Sequence, residues 1–194
     1  MSRKIYLVRH AAVAVPAGVC YGRSDVALSG PVMPYASWLA AVLPQQLPVF
    51  ASPLSRCLLL AQALATSPVI DPRLAEMDFG EWEMRRFDDI PRQQLDAWGA
   101  DPLGFRAPGG ESGNEVFARV LAALRDILDG GRDAIIVSHG GPLRAIRGSL
   151  LGLPREAWLG QVLAQGSLSV LREEGGRWLA EGVQCFDARF DVKS

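Results

Sequence analysis

The sequence predicts an α/β fold, a three-layer α/β/α sandwich on a mixed, mostly parallel sheet. Three observations point there. Short β-branched apolar runs alternate with helical patterns along most of the chain, the order that a layered α/β domain imposes. Two of the runs, IYLV and AIIV, are apolar at every position, as strands buried on both faces of a parallel sheet are. The last two runs are joined by EEGGR, whose paired glycines suit a hairpin and set at least one strand antiparallel.

Strands are expected at residues 4–8, 49–51, 135–138, 168–171 and 178–183. After the second, Ser52 can cap a helix and Pro53 fits its first position. Leu54, Cys57, Leu58, Ala61, Leu64 and Ala65 then form an apolar stripe that leaves Arg56 off the core face. A second helix opens at PGGESGNE, where Ser112 and Glu115 have capping-box spacing. It continues through Val116, Val120, Leu121, Leu124, Ile127 and Leu128 to a stop at Gly130 and Gly131. A third helix starts after His139 at Gly140, Gly141 and Pro142 and carries Leu143, Ile146, Leu150 and Leu151. Residues 71–110 show weak periodicity and are long for a connection, and long loops in compact domains are often functional. One domain is expected to span residues 1–194, since that length suits a single core.

Composition is that of an ordinary globular protein, 49% hydrophobic and 21% charged. A formal net charge of −1 gives no general reason to expect nucleic acid or an anionic membrane as partner. The expected partner is a small molecule, with a homodimer left open. The three cysteines, Cys20, Cys57 and Cys185, are far apart and form no CxxC, so neither a disulfide framework nor a zinc site is expected. The basic N-terminus is followed by too few apolar residues for a signal peptide or a membrane span. A cytoplasmic protein is expected.

Only two histidines occur, and each closes an apolar run, His10 in IYLVRHAA and His139 in AIIVSHGG. The outlet at the carboxyl end of a parallel strand is where open α/β sheets place ligands. Arg9 precedes His10 at the end of a buried strand, while Arg56 and Arg144 fall in the first turns of helices, where the backbone charge is already positive. An anion would reverse that unfavourable sign, and the guanidinium fork suits phosphoryl oxygens. Nearby arginines also hold an imidazole neutral, as nucleophilic catalysis requires. The histidines lack HxH, HExxH or CxxC companions, so no metal site and no cofactor are expected.

These residues lie in motifs that resemble those of the histidine phosphatase superfamily, whose fold is phosphoglycerate-mutase-like. LVRHA is similar to its RHG signature, ASPLSRCLLLAQALA to its SSPLxRAxQTA helix and LAEMDFGEWE to its LxExxFGxWEG segment. PGGES and VSHGGPLR resemble two further blocks, in the family order from about residue 3 to 152. The resemblance implies that His10 is the nucleophile, that Arg9, Arg56 and His139 hold the phosphoryl oxygens, and that Glu76 is the general acid and base. Glu81 and Glu83 are its nearby competitors.

CYGRSDVALS looks like the YxGxxDxPLS stretch of small family phosphatases, most like the α-ribazole-phosphatase-like branch. Arg23 and Ser24 are therefore candidate substrate contacts; Gly140 is a further one, and Trp82 with Phe79 a candidate pocket wall. Arg23 and Ser24 read equally as turn residues with Asp25 capping. The implied activity is metal-independent hydrolysis of a small phosphorylated metabolite, with α-ribazole 5′-phosphate as a narrower choice. A phosphoglycerate-mutase-type transferase and a non-catalytic phospho-ligand binder are the alternatives. The second is motivated by Ala11, Ala12, Val13 and Pro16, which depart from the motif's glycine, acidic, hydroxyl and asparagine positions. A side chain at residue 11 is expected to crowd the turn beside His10.

Overall fold

The structure is a computed structural model that describes residues 2–186. Its centre is a pair of parallel strands, β1 (Lys4–Arg9) and β4 (Ala134–Ser138). On β1, Ile5 and Leu7 pack into one apolar cluster and Tyr6 and Val8 into another. On β4 Ile136 joins the first cluster, and Ile135 and Val137 the second. Alternate side chains thus leave opposite faces of the sheet, and the all-apolar runs follow from burial on both.

The described residues form a six-stranded sheet in the order β3-β2-β4-β1-β5-β6. Here β2 is Val49–Ala51 and β3 Val69–Ile70, both parallel to the centre. β5 (Ser167–Glu174) and β6 (Arg177–Cys185) are antiparallel. Gly175 and Gly176 join them at φ 58° and 78°, the left-handed pair that a tight hairpin needs.

One face carries α4 (Gly113–Asp129) and α5 (Gly140–Leu150), the other α1 (Met33–Val42) and α2 (Ser55–Leu64). The capping box at the start of α4 is formed, with Ser112 accepting from the Glu115 amide and Glu115 accepting from Ser112. A short helix, α3 (Arg92–Ala100), lies within the segment that the sequence reads as a long connection. That segment folds over its own core of Trp82, Ile90 and Ala107 with Cys20, and forms a lid beside the sheet's carboxyl edge. No helix among the described residues is long and apolar enough to cross a membrane.

The start of α2 differs from expectation. It begins at Ser55 behind Leu54, with no side-chain cap from within the segment. Asp25 serves instead, its Oδ1 accepting from the Ser55 amide at 2.8 Å and from the hydroxyl at 2.7 Å. Ser52 and Pro53 therefore precede the helix. Its buried face is Arg56, Cys57, Leu60 and Ala61, whereas Leu58 and Leu64 are only partly covered. Arg56 is thus fully buried, not off the core.

Candidate active site

The register of β1 against β4 builds the site. Arg9 pairs with Ser138, so the next residues, His10 and His139, emerge side by side at the carboxyl edge. Their ring centroids are 5.2 Å apart, and each residue is 1% exposed.

Each ring has an assignable tautomer, because one nitrogen of each faces a group of fixed polarity. His10 Nδ1 lies 2.7 Å from the Ala11 carbonyl, which can only accept. Nδ1 therefore carries the hydrogen and Nε2 keeps the lone pair. Arg56 Nε donates to His139 Nδ1 at 3.2 Å, so His139 Nε2 donates to Ser52 Oγ at 2.7 Å. Cys57 Sγ closes the same corner 3.5 Å from His139 Nε2, its thiol pushed up by burial.

Burial, with added repulsion from Arg56 and Arg9, lowers the His10 pKa to about 3 against the opposing pull of the Ala11 carbonyl. His139 is held well below its usual range by burial, then by Arg56 and His10. Both are neutral near pH 7. An unfolded histidine titrates near pH ~6.5, so below that pH the unfolded chain takes up protons that the folded chain refuses. Folded-state stability is therefore expected to fall as pH drops from about 6.5 towards 3. Thermal unfolding between about pH 7 and pH 5 should show a falling Tm, with a shallower slope in His10→Ala. A flat profile would contradict the buried neutral pair.

Two guanidiniums flank the rings. Arg56, 0% exposed, donates from Nη1 to the Ser24 carbonyl and from Nη2 to the Gly22 carbonyl, at 2.7 and 2.6 Å. Arg9 donates to the Leu163 carbonyl, and its buried Nε has no partner. Among the described residues neither makes an ion pair. Buried cations are ordinarily paired, since an uncompensated one is costly. Unpaired cations of this kind suit an anionic ligand.

Glu76 stands at the start of α5. Its Oε2 accepts from the Gly141 amide at 3.2 Å and its Oε1 from the Met77 amide at 3.0 Å. A Cβ on Gly141 would meet Oε1 at 2.5 Å, so the carboxylate fits there because residue 141 is glycine. Gly140 plays the same part for Arg9, whose Cζ a Cβ would meet at 3.3 Å.

The sequence pattern of the histidine phosphatase superfamily (branch 1) matches residues 5–185. The chain belongs to that superfamily. Probable phosphoglycerate mutase GpmB of Yersinia pestis (strain Pestoides F) is 35% identical over 130 residues, 64% of this chain. The match spans 60% of that relative's length. In fold, the superfamily chain is similar to the alpha-ribazole phosphatase of Shigella flexneri, with TM-score 0.82 and 24% identity over 92% of this chain and 94% of that one. It is also similar to a mycobacterial glucosyl-3-phosphoglycerate phosphatase, with TM-score 0.79 and 24% identity over 93% and 98%.

Not every expected site residue lies beside the two histidines. The Ser24 hydroxyl donates to Glu83 Oε2 and its carbonyl accepts from Arg56 Nη1, so both groups of this expected substrate contact are engaged within the protein. Glu83 also accepts from the amides of Arg23, Ser24 and Phe79, which occupies its carboxylate fully. Glu81 is exposed, which leaves Glu76 as the carboxylate held at α5. Arg23 is half exposed, its Nη1 3.8 Å from the Asp78 carboxylate.

Trp82 is buried in the lid core, where Nε1 donates to Gln94. It packs the lid and is not among the residues that wall the cavity beside Glu76. The cavity beside Glu76 is walled by Phe79, Phe87 and Trp98, with Arg144 at its edge. Ala11 brings no backbone strain, since its φ is not positive; the expected crowding of that turn does not arise in the backbone.

Arg119 of α4 was not visible as a site residue in the sequence. It donates to the carbonyls of Arg73, Ala75 and Glu76 and forms a two-pronged pair with Glu111. Glu111 in turn accepts from the Asp78 amide. The stretch carrying Glu76 is thereby fixed to α4. A polar-face arginine looks like a solvated helix residue until its distant partners are known. Ser52 was assigned to the wrong task for the same reason.

Proposed function

We propose that the protein is a metal-independent phosphomonoesterase acting on a small phosphorylated metabolite through a phosphohistidine at His10. One observation carries this reading: two guanidiniums without carboxylate partners, Arg56 fully buried and Arg9 partly buried with its Nε enclosed, flank a neutral imidazole whose Nε2 lone pair is free. The two cationic forks hold an anion and repel a metal ion, which favours metal-free chemistry. The chain's short passage from α2 to Glu76, through two-residue β3, leaves little room for a second roof beside the lid of residues 71–110, and so favours hydrolysis over transfer. The narrower choice, α-ribazole 5′-phosphate, rests on the loop of residues 20–29 and on the fold likeness.

In the first step His10 Nε2 attacks phosphorus in line as the ester P–O bond breaks. Arg9 and Arg56 neutralise the equatorial oxygens, the main demand of phosphoryl transfer. His139 lies beside them. Glu76 gives its proton to the departing oxygen, then as carboxylate takes one from water, whose oxygen attacks phosphorus and breaks the P–N bond. Inorganic phosphate leaves and His10 is restored.

Turnover of p-nitrophenyl phosphate and of a panel of natural phosphomonoesters, in excess EDTA, tests this reading. Activity that survives EDTA supports it, and no turnover of any ester would sink it. Glu76→Gln adds a sharper expectation. With alkyl phosphates kcat should fall by about 10²–10⁴-fold, the usual worth of a positioned acid–base group. With p-nitrophenyl phosphate, whose phenolate departs without a proton, the first step should be affected far less. Equal losses in phosphorylation rate for both esters would remove Glu76 from the acid role.

A further inference from the structure

Next to Glu76 the fold leaves a cavity of about 280 Å³ that phosphoryl transfer itself does not need. Phe79, Phe87 and Trp98 line it from the lid, and Met77, Val116 and Phe117 line it from below. We infer that this cavity seats the leaving alcohol, and that the alcohol is an uncharged, ring-bearing group that presents an oxygen acceptor to Arg144. The inference rests on the phosphatase reading above and adds the chemistry of the substrate's other half.

The aromatic wall is already assembled. Phe87 and Trp98 are stacked with an interplanar angle of 1° and centroids 6.2 Å apart, and Phe79 meets Trp98 edge-on at 6.0 Å. Buried Trp82 backs them, edge-on to Trp98 at 5.8 Å. Rings held this way offer flat apolar area with little ordering left to do on binding. The volume lies just below the ~300–1,000 Å³ usual for small-molecule pockets, which suits one ring system better than a long chain.

Charge decides the rest. The cavity's one carboxylate, Glu76, is matched by its one guanidinium, Arg144. A leaving group with its own carboxylate, as in a phosphoglycerate, would face the carboxylate that Glu76 becomes once it has given up its proton, and oppose it. An uncharged alcohol leaves that balance intact. Arg144 is anchored at one end, Nε donating to the Gln161 carbonyl at 2.8 Å and the Gln161 amide returning to the Arg144 carbonyl at 2.9 Å. Its terminal amino groups make no hydrogen bond among the described residues, so they are available to an oxygen near the ester.

The test compares kcat/KM for adenosine 5′-monophosphate and 1-naphthyl phosphate with that for 3-phosphoglycerate. The ring-bearing esters should be favoured by about tenfold or more, the scale on which a fitted apolar pocket discriminates. Trp98→Ala and Phe87→Ala should bring the ratio towards parity, mainly through KM, with circular dichroism confirming the fold. Arg144→Gln should raise KM for adenosine 5′-monophosphate more than for 1-naphthyl phosphate, which has no acceptor beside its ester oxygen. Equal or better use of 3-phosphoglycerate, or an unchanged ratio in both lid variants, overturns the inference. If wild type hydrolyses none of these esters, the phosphatase reading fails, and calorimetric titration of the same compounds decides the cavity separately. Tighter binding of 3-phosphoglycerate would then overturn it.

Discussion

In His10→Ala, turnover of p-nitrophenyl phosphate should fall by at least about 10⁴-fold, the scale of loss when a covalent nucleophile is removed. The expectation follows from the tautomer. With Nδ1–H bound to the Ala11 carbonyl, Nε2 is the lone pair presented between Arg9, Arg56 and His139. His139 cannot take over readily, because its Nδ1 accepts from Arg56 and its Nε2 donates to Ser52. The arginines remain, so inorganic phosphate should still bind to the variant. The assay is steady-state kcat alongside calorimetric phosphate titration. Retained turnover would remove His10 from the nucleophile role.

Arg56→Ala should lower kcat/KM by about 10³–10⁵-fold, the range that an arginine acting on a transferring phosphoryl group commands. Two effects combine. In the proposed mechanism the guanidinium holds phosphoryl oxygens, and in the structure it ties together the Gly22 and Ser24 carbonyls and His139. Its loss leaves those buried acceptors without a donor, which costs about 1–3 kcal/mol each where water cannot reach them. Tm should therefore drop as well. Arg56→Lys keeps the charge but not the fork, and should recover only a small part of the activity. Full recovery by lysine would show that charge alone matters there.

The centre of the fold was legible because β1 and β4 are buried on both faces and their sequences show it at every position. Their ends pointed to the candidate site, since Arg9 follows one all-apolar run directly and His10 and His139 each stand one residue further along. What stayed hidden depends on partners distant in sequence. Residues 33–42 are apolar almost all round and have no stripe to read, although α1 is a regular helix packed through Tyr35, Ala36 and Leu39. Arg56 looked outward because a charged side chain rarely belongs to a helix core. It is buried because the loop of residues 22–24 brings carbonyls to it, and Glu83 holds that loop. Trp82 looks like a pocket wall in the sequence and is buried in the lid core, whereas Phe79 does line the cavity, since one aromatic in a weakly periodic segment looks much like the next.

The most direct measurement is the chemical identity of the intermediate. Rapid-quench mass spectrometry during turnover of a phosphomonoester should find a phosphoryl group on His10, attached through Nε2, labile in acid, stable in alkali and missing from His10→Ala. A phosphoryl group on any other residue, or hydrolysis in the pre-steady state with none on the protein, would contradict the mechanism.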